Sequence, residues 1–197
     1  IADYLYKRNI NGAKVTINSL EKRYDAVVSE LLEDNDLRQA AVERIAAIFA
    51  YIRSFTHVDE FSEIHEKEIL AQGELMSTAL MDFYLHEQGF NSVWLPALDF
   101  MRTDHNGEAD VDYITLKLTP MLEANPEADL YVTQGFICRN HKGDTDNLQR
   151  GGSDLTASLI GAAINAEEIE IWTDIDGMHN NDPRYVDKTE PVAELHF

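Results

Sequence analysis

The sequence predicts an α/β fold with a helical N-terminal region, and three observations carry that expectation. Apolar side chains recur at helical spacing through the first 90 residues. From Asn91 onward short β-prone runs alternate with helical ones. The chain has 197 residues, 44% of them hydrophobic, which suffices for one core-bearing domain and excludes a disordered tail.

Asn18 and Glu21 have the spacing of a capping box ahead of Tyr24, Val27, Val28, Leu31 and Leu32. Asp36 with Gln39 repeats the signal before Ile45, Ile48, Phe49 and Ile52. A third helix carries Leu75, Ala79, Leu80, Phe83 and Tyr84 on one face and stops at Gly89. These stripes read as core. Strands are expected at Ser92 to Leu95, Leu130 to Thr133 and Ile169 to Thr173, with a helix from about Asp154 to Asn165. No repeat, low-complexity tract or Pro/Gly linker divides the chain, so a single domain over 1–197 is expected.

Charge and cysteine content exclude several functions. Thirty-six Asp and Glu against 16 Lys and Arg give a net charge of -20, which opposes a nucleic-acid partner held through phosphates. The single Cys138, read as a half-buried thiol, allows neither an internal disulfide nor a Cys-rich zinc module, and favours a reducing, cytoplasmic setting. The longest apolar run, Ile45 to Ile52, falls far short of the roughly 20 residues that span a bilayer, so no membrane partner is expected. The start on Ile1 and the stop at Phe197, where Val192 to Leu195 begin a new pattern, lead us to expect an internal piece of a longer protein.

Three clusters carry the potential chemistry. In Gln72-Gly73-Glu74-Leu75-Met76-Ser77-Thr78 a Gly precedes an acid at an expected helix start, where the helix dipole favours an acid whatever its function. Gln134-Gly135-Phe136-Ile137 is followed by Arg150-Gly151-Gly152-Ser153-Asp154. A Gly pair before a helix lets a ligand approach the backbone, first-turn N–H groups bind anions, and Arg150 forks onto carboxylate or phosphate. The alternative is that Ser153 or Asp154 caps the helix. The third cluster runs from Trp172 to Arg184, after an expected strand, where open α/β sheets place ligands. Its Asp174, Asp176 and Asp182 do not make an EF-hand, because positions six and twelve from Asp174 hold His179 and Tyr185. A metal on those three acids and a solvated Asp-Gly, Asp-Pro turn both stay open.

Taken in order, the clusters resemble the aspartate kinases of the amino-acid kinase family, of the monofunctional lysine-sensitive type. The resemblance runs from about Ser19 to Phe197 through Gly-Glu-Leu-Met-Ser-Thr (73–78), Met-Arg-Thr (101–103), Thr-Gln-Gly-Phe-Ile (133–137), Arg-Gly-Gly-Ser-Asp (150–154), Trp-Thr-Asp-Ile-Asp-Gly (172–177) and Asp-Pro-Arg (182–184). It implies a three-layer αβα sandwich with a mainly parallel central sheet, and transfer of the γ-phosphoryl of ATP to the β-carboxylate of L-aspartate. That reaction is the first step towards lysine, threonine and methionine. By resemblance Arg150 pairs with the substrate α-carboxylate, Ser153 adds a hydrogen bond and Glu74 helps hold the ammonium. Asp154 contacts that ammonium or orients a catalytic lysine, and Gly135 and Phe136 line the pocket. Thr173, Asp174, His179 and Arg184 form the nucleotide side, with Arg184 on phosphate. No protein metal ligand is assigned. Mg²⁺ accompanies ATP, because residues 131–197 hold five basic side chains (Arg139, Lys142, Arg150, Arg184, Lys188) against twelve acidic ones and a bare polyphosphate meets repulsion. A homodimer is implied for the full-length protein.

The departures are specific. The family's N-terminal Lys-Phe-Gly-Gly-Thr-Ser segment, its Lys-Val-Leu-His-Pro segment and its regulatory ACT domains have no counterpart in these residues, so this segment alone is expected to lack turnover. Gln149 stands where the family usually has Gly, and His179 where a phenol is common. Two other readings stand beside the enzyme: an amino-acid kinase with a different acceptor, and a non-catalytic scaffold.

Overall fold

The computed structural model describes residues 1–173, 177–182 and 184–194, and these fall into two compact units, Ile1–Glu167 and Glu168–Phe197. The division falls just after α7 (Gly152–Ala163), the last helix among the described residues.

The first unit opens with helices α1 (Ala2–Tyr6), α2 (Ile10–Leu31), α3 (Asn35–Ser54) and α4 (Glu63–Glu87). Asn9, not Asn18, caps α2, its side chain accepting from Gly12 N at 2.9 Å. The helix therefore begins eight residues before the expected capping box, and Asn18 and Glu21 lie on its flank. There they hold Arg53 of α3, through Nη2 to Asn18 Oδ1 at 3.0 Å and Nη1 to Glu21 Oε1 at 3.0 Å. The cap of α3 is likewise Asp34 instead of Asp36, accepting from the Asp36 and Leu37 N–H groups. Helix α4 ends as expected, with Gln88 at the cap and Gly89 at φ 86°.

Strand β1 (Ser92–Leu95) leads into α5 (Ala97–Phe100) and α6 (Val111–Glu123), and β2 (Leu130–Thr133) then pairs with β1 in parallel, Ser92 opposite Leu130. A short antiparallel pair follows, β3 (Ile137–Arg139) with β4 (Thr145–Asn147), before α7 (Gly152–Ala163). The parallel pair with helices around it is the expected α/β arrangement.

Two apolar clusters hold this unit together, and α4 serves both. One joins α2, α3 and α4 through Ile17, Val28, Leu32, Ile45, Phe49, Met76 and Leu80. The other joins Ala71 of α4 to Leu95, Phe100, Met101, Ile114, Leu118, Ile137 and Cys138. A helix buried on two sides loses a clean amphipathic stripe, which is why α4 carries Ile69, Gln72, Met76 and Ala79 among its buried residues. Cys138 is fully buried, where it was expected half-buried, and burial pushes its thiol up to about 12, so it is an inert packing group.

In the second unit the expected strand Ile169 to Thr173 does not form. Ile169 and Ile171 are each 45% exposed and Trp172 is 88% exposed. A strand is defined by its ladder, and β-propensity alone supplies no partner. Farther along, Asn180 N donates to Glu190 O at 3.0 Å and Val192 N to Met178 O at 2.7 Å, so 178–180 and 190–192 run beside each other.

Candidate substrate site

The Gly135 cluster and the Arg150 cluster, separated in sequence, meet in space. Gly135 and Phe136 form the turn between β2 and β3, and the turn rests on the N-terminus of α7. A Cβ on Gly135 would lie 2.8 Å from both Cβ and Oγ of Ser153 and 2.9 Å from its Cα, so only glycine fits there. Phe136 sits at φ 69°, a conformation costly for a bulky residue, and is held by bonds on both sides. Its N–H donates to Thr156 Oγ1 at 3.2 Å and its carbonyl accepts from Leu148 N at 2.8 Å.

Gly151, at φ 78°, is the cap residue of α7 and provides no side-chain bond. Ser153 and Asp154 therefore lie inside the first turn and do not cap it, which removes the capping alternative. Gly152 N donates to Gln149 O at 3.1 Å and Leu155 N to Gly151 O at 3.0 Å, while the N–H groups of Ser153 and Asp154 have no acceptor among the described residues. Free N–H groups at a helix start, with the positive end of the dipole, favour an anion. Arg150 is exposed directly before that turn, and among the described residues its guanidinium has no hydrogen-bond or ion-pair partner. The Ser153 hydroxyl and the Asp154 carboxylate are equally uncommitted among the described residues.

Three other arginines of this unit illustrate the engaged state. Arg53 pairs with Glu21, Arg102 with Asp110, and Arg139 donates to Leu98 O and Gly143 O. The Arg102 guanidinium also lies 3.6 Å from the Tyr113 ring centre and holds the Asp110 carboxyl below its usual range. The Met101-Arg102-Thr103 motif is thus structural. Thr103 N donates to Arg139 O, and Arg139 N to Met101 O, both at 2.9 Å.

Gln149 adopts φ 60°, which explains why a glycine suits this position. Replacing Gln149 with Gly is expected to leave stability unchanged or raise it by up to about 1 kcal/mol, since release of backbone strain outweighs the added chain entropy. A thermal melt checks this, and a clear loss of stability would show that Gln149 is held by more than its backbone.

Glu74 was expected at a helix start and lies instead in the middle of α4, eleven residues past its first residue Glu63, so the dipole explanation for it is removed. Its half-buried carboxylate has no hydrogen-bond or ion-pair partner among the described residues. The Tyr24 phenol is pushed up by burial, drawn down by Arg23 and raised again by Glu74, which puts the Glu74 charge within electrostatic reach of α2.

Two residues that the sequence motifs contain but to which no role was assigned connect Glu74 to the Gly135 turn. Fully buried Gln134 accepts from Ala97 N at 2.7 Å and donates to Thr78 Oγ1 at 2.7 Å. Thr78 in turn donates to Glu74 O at 2.8 Å. Next to Gln134, Thr133 Oγ1 is buried at the carboxyl end of β2 without a hydrogen-bond partner among the described residues. A groove of about 560 Å³ between α2 and α4, lined by Leu20, Tyr24, Leu80 and Met81, is apolar and includes none of the predicted site residues.

In the second unit, Thr173 is exposed and Asp174 lies outside the described residues, as does Asp176. His179 is half-buried with Nδ1 2.8 Å from Thr189 Oγ1. Arg184 is committed to Asp182, through Nη2 to Oδ2 at 2.8 Å and Nε to Oδ1 at 3.1 Å. That guanidinium holds the Asp182 carboxyl down at about 2. Tyr185 N and Val186 N both donate to Asp182 O, closing a turn. Among the described residues no group of three or more His, Cys, Asp or Glu is placed to hold a metal ion, and no helix is long and apolar enough to cross a membrane.

The sequence model of the amino acid kinase family matches residues 2–197. The lysine-sensitive aspartokinase 3 of Escherichia coli is 39% identical over 133 residues, covering 66% of this chain and 30% of that protein. An aspartokinase of Chlamydia trachomatis is 32% identical over 180 residues, covering 90% of this chain and 40% of the relative. The crystal structure of E. coli aspartokinase III with aspartate and ADP superposes with a TM-score of 0.76 at 27% identity, over 97% of this chain and 44% of that one. Its lysine- and aspartate-bound T-state gives 0.75 at 27% identity. The chain spans less than half the length of these relatives. With a match that runs from residue 2 to residue 197 and a shared α/β framework, the chain belongs to the amino acid kinase family.

Proposed function

We propose that the protein is an aspartate kinase, transferring the γ-phosphoryl of ATP to the β-carboxylate of L-aspartate, and that the first unit binds the amino acid. The observation that carries this reading is the uncommitted set at the start of α7. Arg150, the Ser153 hydroxyl and the Ser153 and Asp154 N–H groups are all without partners among the described residues, against the turn made by Gly135 and Phe136. The names and ligands of the similar proteins support it.

The roles follow from charge and shape. Arg150 forks onto the α-carboxylate, and Ser153 with the first-turn N–H groups completes the anion site. Glu74 offers a carboxylate to the ammonium, and Asp154 a second one. Gly135 keeps the backbone close enough for the substrate to lie against the turn, and Phe136 walls it. Phosphoryl transfer leaves little covalent work for the protein, so these groups act by holding the β-carboxylate in line and neutralising charge.

The nucleotide side belongs to Thr173, Asp174, His179 and Arg184 in the second unit. Mg²⁺ would travel with ATP and offset the acidity of residues 131–197, and no step is assigned through it because the described carboxylates form no metal cluster. A cytoplasmic homodimer is part of the same proposal. The expected products are ADP and 4-phospho-L-aspartate. Trapping the acyl phosphate with hydroxylamine in the full-length protein tests the activity, and absence of aspartyl hydroxamate with ATP and L-aspartate present overturns it.

Arg184 gives the sharpest test of the nucleotide side. Arg184→Ala in the full-length protein is expected to weaken Mg-ATP binding about tenfold and to leave L-aspartate affinity unchanged. The effect is moderate because Arg184 must leave Asp182 to reach a phosphate. Calorimetric titration with a non-hydrolysable ATP analogue reads it. An unchanged Kd in a folded variant would leave Arg184 as a turn-closing residue only.

A further inference from the structure

A threonine inside a helix ordinarily donates its hydroxyl to a carbonyl one turn back and leaves its lone pairs to water. Thr78 makes that bond, to Glu74 O at 2.8 Å, but both of its lone pairs are also filled by other elements. Trp94 Nε1 of β1 donates to Thr78 Oγ1 at 3.0 Å, and Gln134 Nε2, from the turn after β2, donates at 2.7 Å. Gln134 is fully buried, and its other amide atom accepts from Ala97 N, at the start of α5. The hydroxyl thus joins three elements, and Gln134 extends the link to a fourth. Thr78 stands four residues after Glu74 on the same helix face, and Gln134 immediately precedes Gly135.

We propose that Thr78 is a positioning residue for the amino-acid substrate: its hydroxyl sets the register between the α4 turn that carries Glu74 and the loop that carries Gly135 and Phe136. The inference rests on the aspartate-site reading above. The ammonium and α-carboxylate of L-aspartate are a fixed distance apart, so the groups holding them must be held at a matching distance. The pairing Glu74–Thr78–Gln134 is the hydrogen-bonded path along which that distance is set.

The test is Thr78→Val, which keeps shape and removes the hydroxyl. In the full-length protein, the Kd for L-aspartate is expected to rise roughly tenfold or more, while that for an ATP analogue stays within about twofold. The Trp94 indole N–H resonance should move in the ¹H–¹⁵N spectrum, because its acceptor is gone. Thr78→Ser should restore both the resonance and the aspartate Kd. A moved indole resonance with unchanged aspartate affinity would overturn the positioning role and leave a purely structural contact. Wild-type protein that fails to bind L-aspartate would instead remove the site reading, and this inference with it. Should Thr78→Val not fold, Trp94→Phe removes one of the two donors and keeps the ring. About threefold weaker aspartate binding is expected from it, and no change overturns the proposal.

Discussion

Truncating Arg150 to alanine is expected to weaken L-aspartate binding roughly 30- to 1,000-fold, about 2–4 kcal/mol, less than two independent charge-assisted hydrogen bonds would give because the exposed carboxylate is rehydrated when the guanidinium is lost. The size of the effect follows from the free state of the residue. Arg150 has no partner among the described residues, so its guanidinium exchanges only water, and no protein hydrogen bond, when it takes a ligand. The same reasoning predicts little loss of fold stability, because no internal bond is broken. Arg150→Lys should recover part of the affinity, since the charge survives while the planar fork does not. Aspartate KM should rise in both variants with ATP KM held. If ATP affinity fell and aspartate affinity held, Arg150 would belong to the nucleotide.

Phe100→Ala is expected to cost about 3–5 kcal/mol of stability, a large share of the roughly 5–15 kcal/mol typical of a domain. Phe100 is fully buried at the end of α5, in the cluster with Leu95, Ile114 and Ile137. Truncation leaves a cavity beneath the segment whose first N–H, that of Ala97, bonds Gln134. A melting midpoint lowered by about 6–20 °C is the expected reading for a chain of this size. A drop of only a degree or two would mean that the surrounding side chains collapse into the space.

The long helices α2, α3 and α4, the helix α7 and the parallel strands β1 and β2 were legible in the sequence because each carries its own period, whereas α1, α5, α6 and the β3–β4 pair were not singled out. The helix starts were less legible. Asn18 with Glu21 and Asp36 with Gln39 have capping spacing, yet that spacing also occurs along a helix flank, and only tertiary partners such as Arg53 separate the two cases. The run Ile169 to Thr173 failed for the complementary reason, since its residues favour a strand and no ladder takes them up. At the site, residue types were readable and adjacency was not. Nothing local links Gly135 to Ser153, or Thr78 to a glutamine 56 positions later. The left-handed backbone of Gln149 was foreshadowed only as a departure from the expected glycine.

The contact between Gly135 and Ser153 also governs how this protein can drift in sequence. Position 73, another glycine of the same motif set, has open space where a Cβ would go, so ordinary residues can enter there without moving anything. At position 135 every other amino acid drives its first carbon into the backbone of α7, and a compensating change would have to shift a whole helix, not a single side chain. Variation among descendants of this chain therefore has to accumulate around the turn and cannot pass through it, which makes residue 135 a fixed point about which the surrounding residues can be retuned.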